Sequence, residues 1–135
     1  MTLTHRAVTY MFFLIVVLTW IGVSNSKEIQ YTGTFSSLEY YKESGDLGGA
    51  ELRIVFTRSG YQGVLQIAEG SPGELRLIPR IIFNKDKISF KIEEPRKYKG
   101  VFEGTISQEG IIGVFTYETG GVSRLNLKRK QSYWD

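Results

Sequence analysis

From residue 27 onward, apolar and polar side chains alternate with a period of two, the signature of strands with one wet face. In "ELRIVFT", Leu52, Ile54 and Phe56 oppose Arg53 and Thr57; in "DKISFKIE", Ile88, Phe90 and Ile92 oppose Ser89, Lys91 and Glu93. Turn-forming clusters such as "SGDLGG", "EGSPGE", "NKDK" and "TGG" punctuate these runs. They divide the segment into eight strands, expected at 29–38, 50–58, 61–68, 75–83, 87–93, 99–107, 111–118 and 122–129. Helix signals are almost lacking. The pattern therefore predicts an all-β fold, a single eight-stranded antiparallel up-and-down barrel, with an open sandwich as the alternative. Pro79 lacks the N–H a ladder needs, so the fourth strand is expected to bulge or unpair there.

Four strands carry a glycine between two large apolar residues on the same face: Tyr31-Gly33-Phe35, Tyr61-Gly63-Leu65, Phe102-Gly104-Ile106 and Ile111-Gly113-Phe115. Closing a sheet requires sharp bends and small residues beside large ones, and Gly33, Gly63, Gly104 and Gly113 are read as supplying both. The alternation also assigns an inner face. Besides the residues above it includes Leu52, Ile54, Phe56, Ile67, Leu75, Leu77, Ile81, Phe83, Ile88, Phe90, Ile92, Leu125 and Leu127. Such a set either encloses a cup for a small apolar molecule or fills the barrel as a core.

Residues 11–23, "MFFLIVVLTWIGV", form an apolar run behind Arg6, and Ser24-Asn25-Ser26 offers small residues before Lys27. That layout predicts a signal peptide over 1–26, cleaved near Ser26-Lys27, and a barrel domain over 27–135. An uncleaved anchor is the alternative, and the only route to a membrane. The localisation expected is periplasmic or secreted.

Composition narrows the chemistry. Residues 27–135 hold 16 Lys plus Arg against 14 Asp plus Glu, a charge of +2 that argues against nucleic acid as a partner. The chain has no cysteine, and its single histidine is His5. After cleavage neither a Ser-His-Asp nor a Cys-His arrangement is possible, nor are the usual zinc or haem sites. No paired carboxylates stand out, and Glu43 and Asp46 do not follow calcium-loop spacing. The expectation is a non-enzyme without metal or cofactor.

An eight-stranded meander opening with "GTF" (33–35) and closing with "RLNLKRK" (124–130) resembles the calycin superfamily, which holds lipocalins, fatty-acid-binding proteins and avidins. The lipocalin resemblance implies a Gly-x-aromatic on the first strand, capped by a basic side chain from the end of the barrel. Phe35 would take the aromatic position and Arg124 or Arg129 the cap. The closing "LKRKQSYWD" is also similar to small exported bacterial proteins of unassigned function.

Candidate sites follow. For a small apolar or amphipathic ligand at the barrel mouth they are Tyr31, Phe35, Tyr61, Phe102 and Phe115, with Tyr40 and Tyr41 on the long 36–51 connection. A basic-aromatic rim would combine Arg96, Lys97 and Lys99 with Arg124, Lys128, Arg129, Lys130 and Trp134, if both segments reach one end. Two functions remain open: a ligand-binding barrel, or a filled barrel that serves as a protein-interaction module, an inhibitor or envelope accessory.

Overall fold

A computed structural model describes residues 27–135; the segment 1–26, to which the signal peptide was assigned, lies outside the described residues. Ten strands form one sheet: β1 (Gly33–Ser36), β2 (Glu39–Tyr41), β3 (Asp46–Thr57), β4 (Gly60–Gly70), β5 (Arg76–Ile78), β6 (Ile81–Asn84), β7 (Lys87–Ile92), β8 (Gly100–Ile106), β9 (Gly110–Tyr117) and β10 (Val122–Arg129). Among the described residues a single 3-10 turn, Arg96–Tyr98, interrupts them. The order β5-β4-β3-β1-β10-β9-β8-β7-β6 is antiparallel throughout and brings the first strand against the last. The result is a nearly closed barrel.

The count is ten rather than eight because a further strand, β2, forms within the expected 36–51 connection and the expected strand 75–83 is broken in two. Both β1 and β2 lie against β3 in one continuous register, Phe35 opposite Leu52 and Glu39 opposite Gly48, with a gap at Ser37–Leu38. The 36–51 segment is thus a hairpin that prolongs the sheet, and Tyr40 and Tyr41 are exposed on it. The break in 75–83 falls at Pro79. Before it β5 pairs with β4, and after it β6 pairs with β7. No ladder joins β5 to β6; instead Pro79 accepts a hydrogen bond from Gln62 Nε2 at 3.2 Å.

That break shifts the pleat. Ile78 and Ile81 both point inward across three residues, where unbroken alternation would separate them by two or four. Leu75 and Leu77, expected inside, are therefore outside, 67% and 78% exposed. Arg76 takes the inward position instead and is buried. Most of the assigned inner face is core: Phe35, Leu52, Ile54, Leu65, Ile88, Phe90, Ile92, Phe102, Ile106, Ile111, Phe115 and Leu127 are buried in one cluster, with Tyr61, Ile67, Phe83 and Leu125 partly buried against it. Phe56, also expected inside, is 67% exposed, because it stands at the end of β3 beside the turn to β4, where the Tyr61 ring meets it at 4.8 Å.

Candidate functional site

The glycines determine whether the barrel is a cup. Gly104 and Gly113 face each other across the β8–β9 ladder, and the Phe102 ring lies over both. A Cβ added at Gly113 would stand 2.5 Å from Phe102 Cζ and 2.4 Å from the Glu103 carbonyl. One at Gly63 would meet Ile81 Cδ1 at 2.9 Å. The room these residues leave is already taken by neighbouring side chains, with Phe90 stacked on Phe102 at 4.8 Å. Only Gly33, at φ +129°, adopts a backbone conformation that favours glycine; the other three supply space.

At one barrel end Tyr31 stacks on Phe83 at 4.2 Å, and Tyr61 meets both rings edge-on. Tyr31 donates its hydroxyl to the Lys85 carbonyl at 2.7 Å. Beside this plug, Arg129 reaches inward from the last turn of β10 and lies 4.4 Å over the Phe35 ring. Its Nη1 donates to the Thr32 carbonyl at 2.8 Å and its Nε to that of Gln108 at 3.0 Å, while Nη2 also reaches the Gln30 carbonyl. Burial draws the guanidinium below its ordinary pKa.

The opposite end is capped by a second arginine over a second ring. Arg76 lies 3.6 Å from the Tyr98 ring centroid, and Tyr98 sits on the 3-10 turn. The Tyr98 hydroxyl donates to Glu69 at 3.1 Å, and Lys97 pairs with the same carboxylate at 3.3 Å. Lys99 bridges Glu118 at 3.3 Å and Glu93 at 3.7 Å. The Tyr98 hydroxyl and then Glu69 raise Lys97 above the ordinary lysine value; Glu118 and then Glu93 raise Lys99.

The two basic segments do not share a rim. Arg96, Lys97 and Lys99 precede β8, whereas Lys128, Arg129 and Lys130 end β10 at the far side of the barrel. Arg124 faces outward near the start of β10. The strand directions decide this: β8 and β10, both antiparallel to β9, run the same way, so the segment before β8 and the segment that ends β10 lie at opposite ends.

Trp134 is found on the outer wall. The tail after β10 folds back over β3 and β4, where the buried Glu51 carboxylate accepts from Ser132 Oγ at 2.5 Å and from the Tyr133 N–H at 2.8 Å. Trp134 Nε1 donates to Gln66 Oε1 at 2.8 Å, which holds the indole in place while leaving it half exposed. Trp134, Leu75 and Val64 line a groove of about 330 Å³, and Val64 faces Leu77 across the ladder. Arg53 stands opposite Val64 on the other side, and neither it nor Arg80 has an ion-pair partner among the described residues.

Among the described residues no three acidic side chains converge as a metal site would require. No family model, no curated protein and no solved structure matches this chain. Sequence reasoning missed Arg76 and the Glu51–Ser132 contact. Arg76 was hidden by the pleat shift at Pro79, and the tail contact joins residues 81 positions apart without a pattern to announce it.

Proposed function

We propose that this protein is a non-catalytic, exported interaction module: a filled barrel that engages a partner protein through its outer wall. The observation that carries the reading is the inversion at Leu75 and Leu77. Two large aliphatic side chains face solvent beside a tethered indole, while the barrel interior is packed. Side chains of this kind on an outer wall suit a partner surface rather than a solvated rim. The partner that fits has an apolar centre and an acidic margin, to meet Leu75, Leu77 and Trp134 and then the unpaired Arg53 and Arg80. Carriage of an apolar molecule within the barrel gains less support, since Tyr31, Phe35, Tyr61, Phe102 and Phe115 pack on one another and on the core.

The test is a photo-crosslinking amino acid at position 77, compared in the producing cells with one at Ile112 on β9. The reading expects one discrete adduct from position 77, lost on adding Leu75→Arg and absent from position 112. Equal labelling from both positions, or labelling indifferent to Leu75→Arg, contradicts it.

A further inference from the structure

Arg76 points inward at its barrel end, and its guanidinium is incompletely satisfied. The residue is 6% exposed, and its Nε has no hydrogen-bond partner among the described residues. Its only hydrogen bond there is a long one, Nη1 to the Glu74 carbonyl at 3.4 Å. No carboxylate among the described residues lies within ion-pair distance of it. An arginine does not shed its charge, and a buried cation without a counter-charge is costly. Tyr98 covers the face of the guanidinium, and stacking of that kind leaves the edge, where Nε–H and Nη–H donate, for an acceptor.

We propose that Arg76 is the floor of a binding site for a singly charged carboxylate, with the Arg96–Tyr98 turn as its movable cover. The charges around it select the valence. Lys97 is already engaged by Glu69, and Lys99 by Glu93 and Glu118; Arg96 on the cover is exposed to solvent, so Arg76 is the buried cation the site offers. A planar monoanion with two oxygens matches a guanidinium edge, whereas a phosphate dianion would add a second negative charge beside Glu69. Leu65, opposite Arg76 in the ladder, and Ile78, on the same face two residues on, are both buried and fill the barrel beside it, so the ligand is held by its headgroup and any tail stays outside. The cover rests on exposed ion pairs, which contribute little and open readily. The site is separate from the outer docking face: Arg76 points inward from the strand whose Leu77 points outward.

The test is a titration of the purified full-length protein with sodium acetate and sodium butyrate, read at the Arg76 Nε–H resonance and by thermal unfolding. Sodium chloride, phosphate at pH 8 and n-butanol serve as controls. The proposal expects a saturable shift of that resonance with both carboxylates, with affinities within about threefold of each other because the tail is outside. It expects a rise in Tm that Arg76→Met abolishes and Arg76→Lys weakens, and no saturable response to the controls. An absent or non-saturating shift overturns the site. So does an equal Tm response in Arg76→Met, or an Arg76→Lys variant that binds as the wild type does.

Discussion

The Arg129 guanidinium stands 4.4 Å over the Phe35 ring, and the two residues are partners in the β1–β10 ladder that joins the first strand to the last. A cation over an aromatic face contributes about 0.5–2 kcal/mol, and the carbonyls of Thr32 and Gln108 add charge-assisted hydrogen bonds. Replacing Arg129 with Met should destabilise the protein by about 2–3 kcal/mol. Arg129→Lys should recover less than half, because an ammonium cannot reproduce the planar fork. Urea unfolding measures both. A loss below about 0.5 kcal/mol in Arg129→Met would show that the ladder closes without this contact.

The paired glycines predict a stability effect of their own. A Cβ at Gly104 would meet the Ile112 carbonyl at 2.4 Å and the Gly113 Cα at 2.9 Å, so relief requires the backbone to move. Gly104→Val should cost about 3 kcal/mol or more, the upper range for overpacking. A neutral result in chemical denaturation would mean that β8 and β9 separate freely, against the packing of Phe102 described above.

The tail predicts a spectroscopic change. Glu51 holds Ser132 and Tyr133, and through them positions Trp134 over Gln66. In a Trp20→Phe background, which leaves Trp134 as the sole indole, Glu51→Ala should red-shift the emission and cost about 1–3 kcal/mol for the orphaned donors. An unchanged spectrum would place the tail's anchorage elsewhere.

Much of this fold was legible because alternation and turn residues speak locally. The lipocalin resemblance, carried by Gly33-x-Phe35 and the basic residues of the last strand, implied a cap by Arg124 or Arg129, and Arg129 is the one over the Phe35 ring. Two things were not legible. The pleat shift at Pro79 depends on which neighbour each half of the broken strand chooses, and that choice is tertiary; hence Leu75 and Leu77 were placed inside and Arg76 outside. The separation of the basic segments depends on strand direction around the barrel, which composition does not encode.

The lysine turn predicts a pH dependence. Lys97 and Lys99 both have folded pKa values raised above the ordinary 10.5. The stability linked to them is fully present below 10.5 and is lost as pH rises through their folded values. Between pH 9 and pH 11.5 the urea midpoint of the wild type should therefore fall further than that of the Lys97→Met/Lys99→Met variant. Parallel curves for the two proteins would remove these ion pairs from the account.

The central claim is that the barrel is filled and that its outer wall does the binding. Xenon enters apolar cavities and shifts the methyl resonances that line them. Methyl-labelled protein under xenon pressure should show no saturable shifts at Ile54, Leu65, Ile88 and Ile106, whose side chains are buried in the packed interior. Saturable shifts at those methyls would reveal an internal cavity, and the protein would then be a carrier.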